Sequence, residues 1–150
     1  MVHKCFLVMA FLMLGGFAVS QSVGVRTAGQ ISVSELIASD GIAGNSLGMA
    51  VAMSGNTVVV GESCGLGCNQ SYAGAVYVYQ VQSNWTNMTQ TAELTPSDGY
   101  VGDNFGYSVA IYGNTIVVGT VSKAYVFVSA DGTWNNMTET AQLSDGATAD

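Results

Sequence analysis

The chain has 150 residues, with three Lys or Arg against ten Asp or Glu, and a formal net charge of −7. A protein this acidic repels phosphate backbones and anionic lipid surfaces, which argues against nucleic acid as a partner. Its one histidine, His3, sits in the N-terminal apolar segment, so the rest of the chain has no triad, Cys–His dyad or His-ligated metal, and enzyme chemistry would have to rest on carboxylates.

The first stretch, "MVHKCFLVMAFLMLGGFAVSQS", has a short basic start at His3 and Lys4, an apolar run from Cys5 to about Val19, and small residues at Ala18 and Ser20. This is the layout of a secretory signal peptide, residues 1–20, cleaved before Gln21. An uncleaved anchor fits less well, because spanning a bilayer takes about 20 apolar residues and Gly15-Gly16 interrupts a shorter run. The expected mature chain is secreted, is not inserted in a membrane after cleavage, and keeps only Arg26 and Lys123 as cations. Its surface is then carried by Ser, Thr, Asn, Gln and Gly, as suits an extracellular β protein rich in turns.

After "QISVSEL" the chain writes one phrase twice. Placing Glu35 over Glu93 aligns Asp40-Gly41 with Asp98-Gly99, Leu47-Gly48 with Phe105-Gly106, Gly55-Asn56 with Gly113-Asn114, and Val60-Gly61 with Val118-Gly119. In "LGMAVAMS" the residues Leu47, Met49, Val51 and Met53 alternate with small ones. In "FGYSVAIY" Phe105, Tyr107, Val109 and Ile111 do the same, which predicts a strand with one large apolar face. A Gly-Asn pair follows, a strong two-residue hairpin signal. The β-branched runs "TVVVG" and "TIVVG" read as strands buried on both faces. The third strand is "AVYVY" or "AYVFV", and a turn through Trp85 or Trp134 leads to a polar fourth strand, "NMTQTAEL" or "NMTETAQL".

The fold class is therefore all-β, built of four-stranded blades: blade 1 over about 46–94, blade 2 over about 104–143, and the start of a third over about 144–150 in "SDGATAD". A period of 50 to 60 residues with four strands per unit points to a β-propeller. A lone blade cannot cover its own faces, so neighbouring blades must stack on them. Residues 30–36 are expected either to complete the last blade of a ring or to cap the edge of blade 1.

The phrase "FGYSVAIYGNTIVVG", preceded by "SDGYVGD" and followed by "AYVFV", resembles the FG-GAP repeat, the blade unit of integrin α-type propellers and of many secreted proteins. The first copy departs from it by Leu47-Gly48 in place of Phe-Gly. The resemblance implies a ring of about seven blades, of which this chain would supply two and part of a third, as a fragment of a longer product in preference to half of an assembly. It also implies a binding, adhesion or scaffolding role toward an extracellular protein or glycan, with no catalysis. The alternative is the accessory propeller of a secreted hydrolase whose catalytic part lies elsewhere.

Integrin-type repeats carry calcium on a carboxylate-rich loop between the first two strands, an arrangement that suits an oxygen-seeking ion. Here that connection is "SGNT" or "YGNT", with no carboxylate, so neither a metal site nor any other cofactor is expected. Asp98 and Asp103 in "DGYVGD" could form a weak oxygen site. The simpler reading is an inter-blade turn, held by Asp side-chain-to-backbone bonds and a glycine at positive φ. Asp40 with Asn45, and Asp145 with Asp150, are their counterparts. Glu62 and Glu139 stand alone in the sequence, and no catalytic constellation emerges.

Cys64 and Cys68 in "ESCGLGCNQ" suit a local disulfide in an oxidising compartment; a redox pair or a metal is the weaker reading. Four Asn-x-Ser/Thr sequons begin at Asn69, Asn84, Asn87 and Asn136. They are candidate glycan sites if the source is a eukaryote, and turn or strand residues if it is a bacterium. Trp85 and Trp134 fit packing over the hairpin end better than sugar stacking. Tyr100, Tyr107, Tyr112 and Tyr72 suit a binding face or blade packing equally. The most individual piece, and the expected functional loop, is "ESCGLGCNQSYAG".

Overall fold

The structure, a computed structural model, describes residues 34–41, 44–63, 73–82 and 86–144. The signal segment, Cys64, Cys68, Asn69, Tyr72, Asn84, Trp85 and residues 145–150 lie outside them. The described residues contain strands and turns and no helix.

Two four-stranded antiparallel sheets form the two blades. Blade 1 is ordered β2 (Ser46–Ser54), β3 (Thr57–Ser63), β4 (Ala75–Gln80) and β6 (Ala92–Leu94). Blade 2 is ordered β7 (Ser108–Tyr112), β8 (Thr115–Gly119), β9 (Ala124–Val128) and β10 (Ala141–Leu143). The Gly-Asn pairs make the hairpins as expected. Gly55 and Gly113 take φ of 60° and 54° at the first central position, the pattern of a type II′ turn, whose twist matches that of the strands it joins. Ser54 then faces Thr57, and Tyr112 faces Thr115.

The blades stack face to face. Val59, Val76, Val78, Ala92 and Leu94 of blade 1 share one core with Phe105, Ile116, Val118, Tyr125, Phe127 and Trp134 of blade 2. Trp134 is thus a buried part of the core between the blades. The other face of blade 1 (Val58, Val60, Ala75, Tyr77 and Tyr79) packs with Ala38, Leu36, Leu47, Val51 and Met88. Strand β3 is accordingly buried at every position. Its counterpart β8 alternates: Ile116 and Val118 are buried toward blade 1, while Thr115, Val117 and Gly119 on the other face are half-buried.

Two sequence expectations need correction. The outer stretch of each copy is not one strand. β5 (Met88–Thr89) pairs in parallel with β1 (Leu36–Ile37), and only Ala92–Leu94 joins blade 1. Thr91 makes the break: its amide donates to the Val78 carbonyl at 2.7 Å, and its hydroxyl oxygen accepts the Gln80 amide at 3.0 Å. Thr140 does the same to Val126 and Val128 in blade 2, and Met137 bridges Leu94 in parallel. A threonine side chain stands in for a strand neighbour, which frees the preceding residues to pair with the sheet before.

The second correction concerns the inner strands. Phe105 is buried, yet Tyr107, expected beside it, is exposed; Gly106 at φ 86° intervenes and β7 begins only at Ser108. In the first copy the register shifts between Leu47 and Ala50, around Gly48 at φ 94°. This bulge re-aims the strand, and Met49 and Met53 are exposed.

Candidate functional site

The residues common to both copies converge on the seam between blades. A Cβ on Gly61 would lie 2.1 Å from the Gly106 carbonyl oxygen, and one on Gly74 2.2 Å from that of Phe105. Two backbones therefore touch where only glycine fits. The Phe105 amide donates to the Ala73 carbonyl at 3.0 Å. Its ring then meets Tyr125 and Phe127 edge-on, at centroid distances of 5.4 Å and 6.0 Å, a favoured aromatic geometry.

A polar strut repeats alongside. The Tyr125 hydroxyl donates to Asp98 Oδ1 at 2.8 Å, as Tyr77 donates to Asp40 Oδ1 at 2.9 Å. Lys123 Nζ adds a bond to Asp98 Oδ2 at 2.6 Å. The Lys123 bond, then the Tyr125 bond, hold the Asp98 carboxyl below the usual aspartate range. Burial, then Asp98, push the Tyr125 hydroxyl up.

The Asp-Gly pairs therefore work differently from the expected turn. Asp98 spends both oxygens on side chains, and neither Gly41 nor Gly99 lies in the left-handed region. Gly99 is required for space: a Cβ there would be 2.4 Å from the Pro96 ring and 3.0 Å from the Ala73 methyl.

Asp103 is buried. Its Oδ2 accepts the Tyr100 amide at 3.2 Å, and Oδ1 has no partner among the described residues. Asp98 and Asp103 thus face different partners. No group of three His, Cys, Asp or Glu able to hold a metal occurs among the described residues.

Glu62 and Glu139, solitary in the sequence, are both engaged. Glu62 is buried in β3, where the Asn45 side-chain amide donates to its carboxylate. The same two places in blade 2 hold Asp103 and Thr120, so the acid changes position between copies. Glu139 accepts the Ser97 amide at 2.9 Å and the Gln142 side chain at 2.8 Å. Burial pushes its carboxyl up, but these bonds outweigh it and hold it below the ordinary glutamate value.

Two of the sequon asparagines each tie a blade to the strand that precedes it, and one of them, Asn136, does so across the seam. Asn87 Oδ1 accepts the Glu35 amide at 2.9 Å, and Asn136 Oδ1 accepts the Glu93 amide at 2.9 Å. Sequence reasoning missed this role, although the alignment of Asn87 with Asn136 was a signal for it.

Exposed apolar side chains gather at one end of the blades, on the loops before β7 and between β8 and β9. Tyr100 is 60% exposed, Tyr107 57% and Val121 63%. The Val121 amide donates to the Asp103 carbonyl at 3.1 Å and the Tyr107 amide to Asn104 at 3.0 Å, fixing the loops that carry them. Tyr100 and Tyr107 thus lie outside the core that blades 1 and 2 share. Tyr112 is exposed at the opposite end, on the β7–β8 hairpin.

A family model for the FG-GAP repeat matches residues 31–79 and again residues 88–133. Each match spans a Leu-Gly or Phe-Gly turn and the hairpin after it. No curated protein and no solved structure matches the chain significantly.

Proposed function

The chain belongs to the FG-GAP repeat family, and from that premise we propose that it is a secreted propeller module for extracellular binding, adhesion or scaffolding, without catalysis of its own. The observation that carries the reading is the division of labour within each repeat. Residues common to both copies hold blade to blade, whereas the exposed tyrosines Tyr100 and Tyr107 stand on one loop end. A fixed scaffold that presents variable loops is the usual way a repeat fold binds a partner. The polar, lightly charged surface and exposed aromatic rings suit an extracellular protein or a glycan. The residues lining the seam suit a structural role: Asp98, Glu62 and Glu139 are each taken up by hydrogen bonds.

The test is a binding screen of the full chain against panels of matrix proteins and glycans. Tyr100→Ser with Tyr107→Ser is expected to abolish the strongest interaction, and Tyr112→Ser, at the far end, to leave it intact. Binding that survives the double substitution, or no binding on either panel, overturns the reading. N-terminal sequencing of protein released by secreting cells is expected to begin at Gln21; retention of the chain inside the cell would refute secretion.

A further inference from the structure

The sequons Asn87-Met88-Thr89 and Asn136-Met137-Thr138 occupy the same place in the two blades. Each asparagine reaches back to the strand end that precedes its blade. Backbone amides can only donate, so the Glu35 and Glu93 amides fix Oδ1 of Asn87 and Asn136 toward the preceding strand. Nδ2 must then point the other way. Asn87, Thr89, Asn136 and Thr138 are all exposed, and neither Nδ2 has a hydrogen bond among the described residues.

We propose that Asn87 and Asn136 are N-glycosylation sites at which one side-chain amide serves two purposes: its carbonyl oxygen holds the preceding strand and its nitrogen carries the sugar. This rests on the extracellular reading above. In the reaction, the amide nitrogen bonds to the anomeric carbon of an oligosaccharide donated by a lipid pyrophosphate. The bond from that carbon to the pyrophosphate oxygen breaks, the lipid pyrophosphate leaves, and the nitrogen loses one proton. The carbonyl oxygen is untouched, so the bond to the Glu35 or Glu93 amide persists in the glycosylated protein. Met88 and Met137, the middle residues of the two sequons, are half-buried and pair with Leu36 and Leu94. They point the hydroxyl and amide ends of each sequon outward. A glycan at each place would sit along the outer edge of a blade, where it hinders edge-to-edge pairing of sheets.

The test uses the full chain placed behind a foreign secretory leader in a eukaryotic host, so that entry into the secretory pathway does not depend on residues 1–20. Peptide mass mapping is expected to find a glycan on both Asn87 and Asn136. Thr89→Ala and Thr138→Ala should each remove one glycan. Melting is then compared for protein made with lipid-linked oligosaccharide synthesis inhibited, so that no variant carries sugar. There Thr138→Ala should melt as the parent does, Asn136→Ala several degrees lower, and Asn136→Asp, which keeps an acceptor oxygen, in between or near the parent. Unmodified asparagine at either position in imported protein overturns the proposal, as does equal melting of Asn136→Ala and Thr138→Ala. If the native leader fails to direct secretion while the foreign-leader protein is modified, only the extracellular reading falls.

Discussion

Gly61 of blade 1 and Gly106 of blade 2 meet backbone to backbone: a Cβ on Gly61 would stand 2.1 Å from the Gly106 carbonyl oxygen and 3.3 Å from its α-carbon. Backbone atoms cannot swing aside as a side chain can. Gly61→Ala should therefore push the blades apart and cost about 1–3 kcal/mol or more, as overpacking of a close contact does. The equivalent Gly119 is a control inside the same chain, since its Cβ would meet the Ser108 hydroxyl at 2.2 Å, and a hydroxyl can rotate away. Gly119→Ala should cost well under half as much in urea unfolding. Equal costs would mean that the glycine contact does not hold the seam.

Phe105 is the apolar half of the same contact. It is fully buried, with its ring edge-on to Tyr125 and Phe127. Phe105→Ala should cost about 3–5 kcal/mol and remove the near-ultraviolet circular dichroism that a fixed Tyr125 ring contributes. Phe105→Leu copies the first repeat, where Leu47 stands at this position, and should cost about 1 kcal/mol.

The all-β blades, their strand order and the Gly-Asn hairpins were legible because each depends on a short stretch read by itself. Period-two alternation identifies a strand, and repetition identifies a blade. What the sequence concealed depends on two sheets at once. "NMTQTAEL" reads as one strand because nothing local to it says that Met88 will pair with Leu36 while Ala92 pairs with Val78. Tyr107 reads as a neighbour of Phe105 until Gly106 takes φ 86° and turns the chain between them. Glu62 reads as a solitary carboxylate because its partner, Asn45, is 17 residues away in the chain. Asn87 and Asn136 match a modification motif so well that their hydrogen bonds to the preceding strand were hidden behind it.

Leu94 and Leu143 close the outer edges of blades 1 and 2 at equivalent positions. Leu94 lies in the core between the blades and is fully buried, whereas Leu143 is 56% exposed. Leu94→Ala is expected to cost about 2–5 kcal/mol, and Leu143→Ala to stay within about 0.5 kcal/mol of the parent. Chemical denaturation of the two variants side by side measures how much of a blade's stability comes from the neighbour on its face. Similar losses would show that each blade is stable by itself.

The strut at Asp98 makes the seam sensitive to pH, with opposite signs at its two ends. Hydrogen bonds from Lys123 and then Tyr125 lower the Asp98 carboxyl pKa in the folded chain. Its contribution is therefore complete above the ordinary aspartate value of about 3.9, and it is lost as pH falls through the lower folded value. Asp98 raises Lys123 in return. That contribution is complete below the ordinary lysine value of about 10.4, and it disappears as pH rises through the higher folded value. The melting temperature should hold a plateau between these limits and fall on either side. Glu139, also held low by Ser97 and Gln142 against the upward push of burial, adds to the acid limb. Glu93 opposes it, because burial and then Asp40 raise its carboxyl, so protonation at low pH relieves that burial. Asp98→Asn retains an oxygen for the Tyr125 hydroxyl but removes the charge opposite Lys123. It should make the alkaline limb shallower, leaving the part owed to the buried hydroxyls of Tyr79 and Tyr125, and reduce the acid slope to the part owed to Glu139 and Asp131. The pair is largely open to solvent, where an ion pair is worth little, so the shift is read in the shape of the melting-temperature profile against pH rather than in its height. A profile for Asp98→Asn that superimposes on the parent at both ends would show that this carboxylate contributes nothing to holding the blades together.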